Sequence, residues 1–449
     1  MIASKVIKCS DHNLYETYSN NYIGRNDFLH RFVYVLGQIN EATTIAVDGD
    51  WGCGKTFFVK QAKMIMDAHN DYISANNEEQ RIKIRNVWNQ ATKNKDYGEI
   101  KPQVSVYYDA WLHDDDTDPL LSLVFEIYRS VQHEYSFEEF PNVIDILGKI
   151  ADASTSRNLS GVIDSLRSKK NPFEELTERQ ALASKIKEFM GSLIHEKGDR
   201  LIVYIDELDR CNPNFAVRLL EKIKHYFDND DITFVLSINS FELQNTIRNY
   251  YGSEFNASRY LNRFFDLRFS LPPVDTRSYL WSIGENIDHY PVAKYIIERY
   301  GFQMRDIAKY IRLLNISFPR HIDFERRFNS TTYAFCCRII VPLMIGMQMY
   351  DITKYKSFIE GNNRSELDFM LEIKELSNWI NWFVSKENEN IDAQEQAHRL
   401  TMVYNALFSS TVQHSEQAIG RLRINSNIQN TVKEVVSLLS NMAYYNDND

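Results

Sequence analysis

Residues 49–56 read GDWGCGKT and lie between the apolar run TIAVD (44–48) and a long amphipathic stretch. No other stretch restricts the fold as tightly. Gly49, Gly54, Lys55 and Thr56 satisfy G-x-x-x-x-G-K-[ST], a pattern that works only where a strand runs through a glycine turn into a helix. Both flanks meet that demand: TIAVD reads as a buried strand, and Phe58, Ala62, Ile65 and Met66 recur at helical spacing behind the turn. Such a loop curls backbone N–H groups around a phosphate, and the helix N-terminus adds positive potential. Gly49, Asp50, Trp51, Gly52, Cys53, Gly54, Lys55, Thr56 and Phe57 are therefore the expected nucleotide-binding segment. Lys55 is expected to reach the β- and γ-phosphates, binding and catalysing together, and the Thr56 hydroxyl to bind Mg2+. The competing explanation is a chance match in a glycine-bearing turn, and the strand before and helix after it argue against that.

The first 270 residues alternate strand-like runs with helical periodicity. VSVYY (104–108), LIVYID (201–206) and ITFVLSI (232–238) are nearly continuous apolar runs, as parallel strands covered on both faces require. FDLRFSL (265–271) alternates, with Phe265, Leu267, Phe269 and Leu271 on one side, which suits an edge strand. Between LIVYID and ITFVLSI, Ala216, Leu219, Leu220, Ile223, Tyr226 and Phe227 keep helical spacing, so a β-α-β crossover joins them. The expected fold is α/β: a P-loop NTPase with a mostly parallel, doubly wound sheet, followed by an all-α C-terminal region. From residue 276 onward no segment reads as a strand. The expected domains are a core over 1–275, with insertions near 72–102 and 138–198, a lid-like helical subdomain over 276–360 and a helical domain over 361–449.

LIVYID ends in Asp206, and Glu207 follows it. Asp206 at a strand tip is expected to hold the Mg2+ shell, and Glu207 to polarise the attacking water as general base. Alone, an Asp-Glu pair after a strand is a solvated turn. In one sheet with a phosphate loop it completes a hydrolytic site. Asn239, after ITFVLSI, either aligns that water or caps the helix beginning SFELQNTI. A GTPase needs N-K-x-D after a later strand, but here Asn239 leads into Ser240, Phe241 and Glu242. The run Asn94 to Asp96 lies in the polar insertion instead. ATP, with Mg2+, is the expected ligand.

Composition narrows the setting. The formal net charge of −10 argues against a broad basic surface for non-specific nucleic-acid binding. MIASKVIKCSDHNLY has no apolar core, so no secretory signal is expected. AFCCRIIVPLMIGMQMY (334–350) contains Arg338 and is shorter than the roughly 20 apolar residues of a membrane span. It reads as a buried core helix. Five cysteines without a C-x-x-C suit a reducing cytoplasm, and the eleven histidines show no zinc-like spacing. The run HDDDTD (113–118) reads as a solvated loop rather than a cation site, and Cys53 and Cys211 as small buried thiols beside the nucleotide.

Several stretches, in order, resemble the KAP P-loop NTPases, relatives of the AAA+ and STAND ATPases. They are GDWGCGKT with Trp51 inside the loop, and YYDAW (Tyr107–Trp111), which looks like the family's Phe-Asn-Ala-Trp element. IDELDRCNP (Ile205–Pro213) is similar to its extended Walker B, including Asp209, Arg210 and Cys211. YLNRFFDLRFSLPP (Tyr260–Pro273) and MRDIAKYIRLLN (Met304–Asn315) resemble its later segments. Asp109 stands where Asn is usual, Cys53 where Ser is common, and Phe57 where Ser or Thr often follows; none removes a phosphate or Mg2+ ligand. Many family members carry membrane helices between the Walker motifs, and residues 112–200 hold none. By resemblance to AAA+ proteins, Arg263, just before Phe264, implies an arginine acting on a neighbour's γ-phosphate, hence a homo-oligomer. Arg259, one turn earlier, is the alternative, and a surface salt bridge the plainer use. The resemblance implies that Arg305 senses nucleotide from a lid. Arg210 either acts between subunits or braces Asp209.

Three function classes follow. The resemblance implies a regulatory or assembly ATPase, working with a separate effector or sensor protein, in bacterial antiphage defence. A nucleic-acid motor or loader is the alternative, opposed by the acidic balance. A small-molecule kinase fits the paired Asp206 and Glu207 and the large insertions poorly.

Overall fold

The structure, a computed structural model, describes residues 7–73, 78–95, 97, 99–135, 184–191, 194, 197–227, 230–283, 291–317, 330–408 and 416–442. The chain divides into two compact units, Lys8–Asp275 and Thr276–Asp449 with Met1–Ile7.

The first unit is built on five parallel strands, β1 Thr43–Asp48, β2 Gln103–Asp109, β3 Arg200–Asp206, β4 Ile232–Ile238 and β5 Leu267–Ser270. Their order is β2-β3-β4-β1-β5. Four runs expected to be strands are strands, because β-branched and aromatic residues fill both faces of each. Helices cover both sides. α1 Asp11–Ser19, α2 Asn26–Gln38, α3 Lys55–Ala68 and α4 Glu78–Thr92 pack on the face that carries Ile45, Val47, Ile202, Tyr204 and Val235. α5 Pro119–Tyr135, α6 Pro213–Tyr226, α7 Ser240–Tyr251 and α8 Ala257–Leu261 cover the face of Val104, Val106, Val203, Ile205, Phe234 and Leu236. Alternate residues of one strand thus feed two cores.

Register fixes where the site lies. Asp48 of β1 is opposite Ile238 of β4, and Asp206 of β3 is opposite both Ser237 and Asp109. The ends of β1, β2, β3 and β4 therefore share one edge, with β4 between the glycine loop and the Asp206 tip.

Two expectations need adjusting. Within the polar insertion near 72–102, α4 buries Ile84 and Trp88 against the same core as α3, so part of it belongs to the fold. β5 is the expected edge strand but spans only Leu267–Ser270, and Leu267 is exposed. Phe265 precedes it and packs in the opposite core from Phe269, so the alternation does not describe one face. Most of the insertion near 138–198 lies outside the described residues.

The second unit is mainly helical. Its central helix, Thr331–Tyr350, has 20 residues, three more than the apolar run suggested, and is long and apolar enough to cross a membrane. Its apolar window is 67% buried within the protein, against helices Pro291–Tyr300, Met304–Ser317 and Ile352–Ile359. It widens to a π turn at Cys336–Ile340, just before Pro342, which has no N–H to give the preceding turn. Among the described residues, one element departs from the all-helical expectation: a hairpin pairing Gln417–Ile419 with Leu422–Ile424. Strands of three residues are too short to leave a periodicity in the sequence.

Candidate functional site

The glycine loop follows β1 and is tied to β4 by the Gly49 N–H, which donates to the Ile238 carbonyl at 3.2 Å. A side chain at Gly49 would put its Cβ 2.7 Å from Cys53 Sγ. Gly52 (φ +79°) and Gly54 (φ +93°) hold left-handed conformations that residues with a Cβ avoid. Gly54 caps α3 with no side-chain acceptor, so the first-turn N–H groups keep their donors for an anion. Lys55 is 8% exposed, and its Nζ donates to the Gly49 carbonyl at 2.7 Å and the Asp50 carbonyl at 3.3 Å. The ammonium thus lies across the mouth of its own loop. The Thr56 hydroxyl forms no hydrogen bond among the described residues, and the Phe57 side chain is buried.

Sequence reasoning passed over Arg25. It is 6% exposed at the start of α2, and its Nη1 donates to the Cys53 carbonyl at 2.7 Å. Burial lowers its pKa, opposed by the neighbouring Cys53. A guanidinium buried under the loop braces the backbone that must hold a phosphate. Nothing in the spacing links position 25 to position 53.

The carboxylates gather at the end of β3. Asp206 is 1% exposed; its Oδ1 accepts the Glu207 N–H at 3.0 Å and its Oδ2 the Tyr107 hydroxyl at 2.9 Å. Tyr107, from β2, is a second residue the motif reading did not assign. Burial and then Asp206 push its phenol well above the usual range, which keeps it a donor. Glu207 has φ +60°, rare for a residue with a side chain, and opens a tight turn over Leu208–Arg210. Burial and then Asp206 raise its pKa, while Arg210 lowers it. Arg210 Nε meets Glu207 Oε2 at 2.6 Å, so this arginine does not brace Asp209. Asp209 turns the other way, under the loop, where Oδ2 accepts the Trp51 indole N–H at 2.5 Å. The loop and the β3 turn are thus bonded to each other through a side chain.

The remaining candidates divide. Asn239 is the N-cap of α7: its Oδ1 accepts the N–H groups of Phe241 (3.1 Å) and Glu242 (3.3 Å). Its Nδ2 has no hydrogen-bond partner among the described residues, so the cap leaves the amide donors available. Arg263 and Arg259 are exposed, and their guanidinium groups form no ion pair among the described residues. Arg305 is an exposed residue in the first turn of Met304–Ser317, in the second unit. Three of the four HDDDTD carboxylates are engaged within a structured loop: Asp114 Oδ1 accepts the Asn212 N–H at 2.7 Å, Asp116 meets His113 at 2.8 Å, and Asp118 accepts the Leu120 N–H at 2.8 Å. No cluster among the described residues is built to hold a metal ion through three His, Cys, Asp or Glu. Cys53 and Cys211 are buried, and burial raises both thiols.

This arrangement offers a cradle of N–H groups and one ammonium for an anion, a hydroxyl unbonded among the described residues beside it, and two carboxylates across one intervening strand. That is the equipment for binding a nucleoside triphosphate and activating water against it. The comparison with curated proteins gives no match. Among solved structures, the Aeropyrum pernix ORC2 protein (ADPNP-ADP complexes) aligns at 12% identity over 94% of this chain and 84% of that one, with a TM-score of 0.31. The Aeropyrum pernix ORC1 protein in complex with DNA aligns at 12% identity over 93% and 83%, with a TM-score of 0.32. C. elegans PCH-2 aligns at 14% identity over 71% and 67%, with a TM-score of 0.24. The family model of the KAP family P-loop domain matches residues 25–290, from the Arg25 brace through the whole sheet, and the chain belongs to that family.

Proposed function

We propose that the chain is a Mg2+-dependent ATPase that works as a regulatory or assembly switch. One observation carries this reading: Lys55, Thr56, Asp206 and Glu207 stand at one sheet edge, in a nucleotide-binding family, with donors and acceptors left for a triphosphate. The donor set also fits Mg2+. The Thr56 hydroxyl is unengaged among the described residues, and Asp206 is an oxygen donor backed by Tyr107, the hard ligands this cation takes. Thr56 and Asp206 would hold it, and when bound it would neutralise charge on the β- and γ-phosphates.

The protein residues divide the work. Loop N–H groups and Lys55 bind and orient the phosphates, with Lys55 exchanging the Gly49 carbonyl for phosphate oxygen. Glu207 takes a proton from water as the water oxygen bonds to the γ-phosphorus. The bond from that phosphorus to the bridging oxygen breaks, its electron pair leaving with ADP. Asn239 Nδ2 orients the water while Oδ1 remains the helix cap. Arg263, exposed and unpaired among the described residues, acts across a subunit boundary, with Arg259 as its near neighbour. Arg305 senses nucleotide from the helical region.

The test is direct. Lys55→Ala abolishes ATP binding measured by calorimetry, and Glu207→Gln binds ATP without releasing phosphate. Retained hydrolysis in Glu207→Gln sinks the general-base assignment. Turnover per subunit rises with protein concentration and loses that dependence in Arg263→Ala. Concentration-independent turnover removes the intersubunit role. The family resemblance carries the last part of the reading, a switch acting with a separate effector in antiphage defence. Effector activity from the purified chain alone contradicts it, and salt-dependent DNA binding that stimulates hydrolysis points to a motor instead.

A further inference from the structure

The turn after β3 separates its charged side chains. Asp209 goes inward to Trp51, whereas Arg210 folds back on Glu207, with Nε 2.6 Å from Oε2. The turn does not need this ion pair to hold its shape. The Arg210 N–H already donates to the Glu207 carbonyl at 3.1 Å, the Cys211 N–H to Leu208 at 3.3 Å, and Asp209 is pinned by Trp51. What the ion pair does fix is the direction of the Glu207 carboxylate. One of its oxygens is engaged by the Arg210 charge in a close ion pair instead of being offered to water.

Arg210 is held from its other side too. Its guanidinium lies over the Trp111 ring, 5.5 Å from the centroid. Trp111 starts the short turn after β2, and the preceding residue, Ala110, donates its N–H to the Asp206 carbonyl at 3.0 Å. Trp111 is 55% exposed and its neighbour Leu112 is 78% exposed, unusual for large apolar side chains beside a buried acidic site. The contact chain Trp111–Arg210–Glu207 therefore runs from the protein surface to the carboxylate.

We propose that Arg210 is a latch on Glu207, holding the carboxylate in a resting orientation, and that Trp111 sets the latch by stacking on the guanidinium. Arg210 is on this reading a positioning residue that restrains hydrolysis. The inference rests on Glu207 acting as the general base. It differs from an arginine acting between subunits in one clear respect: loss of the side chain raises turnover rather than lowering it.

The experiment is steady-state ATP hydrolysis by the full chain with Arg210→Ala, Arg210→Lys, Trp111→Ala and Glu207→Gln, alongside thermal melts. If the latched orientation dominates about tenfold, Arg210→Ala raises kcat about five- to tenfold while KM for ATP stays within about twofold. Arg210→Lys keeps a charge without the planar fork and gives a smaller rise. Trp111→Ala, which leaves Arg210 in place, raises kcat about twofold. A merely structural arginine gives the opposite pattern, a lower melting temperature with kcat unchanged or reduced, and that result overturns the latch. If Arg210→Ala fails to fold, the other two variants decide: a kcat rise in either supports the latch, and no rise in both overturns it. Hydrolysis abolished by Glu207→Gln but unchanged in Arg210→Ala overturns the latch alone. Hydrolysis surviving Glu207→Gln overturns the general-base role and the latch with it.

Discussion

The indole N–H of Trp51 donates to Asp209 Oδ2 at 2.5 Å, joining two residues 158 positions apart. Asp209 is 4% exposed, and its Oδ1 has no hydrogen-bond partner among the described residues. Burial raises its pKa, opposed first by Lys55 and then by Trp51. The glycine loop is thereby anchored at its tip as well as at its two ends.

Removing that anchor loosens the loop without touching a phosphate ligand. Trp51→Phe keeps an aromatic ring and deletes the N–H. Hydrogen bonds to charged groups contribute about 1.5–3 kcal/mol, so ATP affinity should fall at least about tenfold as binding must then order the loop. Calorimetric titration of ATP measures this. A dissociation constant within twofold of the original shows that the bond does not hold the loop in its binding form.

Gly49 and Cys53 form a second, steric pair. A Cβ at position 49 lies 2.7 Å from Cys53 Sγ but 3.6 Å from the Leu271 Cβ, so the thiol is the obstacle. Gly49→Ala should abolish ATP binding, and adding Cys53→Ala should restore a large part of it. The measurement is a double-mutant cycle on ATP affinity, and purely additive effects refute the pairing.

How much of this was legible follows from what each residue contacts. The strands could be read because burial on both faces forces continuous apolar runs, as in ITFVLSI. Lys55, Thr56, Asp206 and Glu207 could be read because chemistry fixes their residue types and their place at strand ends. Arg25, Tyr107 and the Trp51–Asp209 bond could not, since each depends on a side chain crossing between elements with no constraint on sequence spacing. α4 escaped because only Ile84, Trp88 and Thr92 of its fifteen residues are buried, a stripe too narrow to outweigh the polar remainder. Arg210 was identified as part of a motif, but its direction toward Glu207 rather than Asp209 depends on the left-handed backbone at Glu207.

Tyr107 offers a test of the Asp206 role. Its hydroxyl donates to Asp206 Oδ2 at 2.9 Å while Oδ1 accepts the Glu207 N–H, so the carboxylate is held at both oxygens. Lys60 Nζ lies 4.2 Å from the centre of the same ring, so Tyr107→Phe retains the packing and loses the donor. Groups that orient a metal ligand typically contribute about 10- to 100-fold in affinity or activity. The Mg2+ concentration for half-maximal hydrolysis should therefore rise about tenfold, with ATP affinity measured without Mg2+ unchanged. A parallel loss of Mg2+-free binding assigns Tyr107 to the fold instead.

His30 sets a pH limit on the first unit. It is 1% exposed, its Nε2 lies 3.2 Å from the Tyr18 hydroxyl, and Trp88 packs edge-on at 5.2 Å. Burial, aided by Lys95 and opposed by Asp27, holds its pKa down to about 4 from an ordinary 6.5. The unfolded chain therefore takes up a proton near pH 6.5 that the folded unit refuses until about pH 4. The stability from a neutral His30 is complete above pH 6.5 and is lost as pH falls from there toward 4, by up to about 1.4 kcal/mol per pH unit. His30→Phe preserves the aromatic contacts, removes the titrating group and forfeits about 1 kcal/mol at neutral pH through the unpaired Tyr18 hydroxyl. Urea unfolding of wild type and variant at neutral and mildly acidic pH separates the two effects. The wild type should lose more stability on acidification, and equal losses in both proteins would assign the acid sensitivity to other groups.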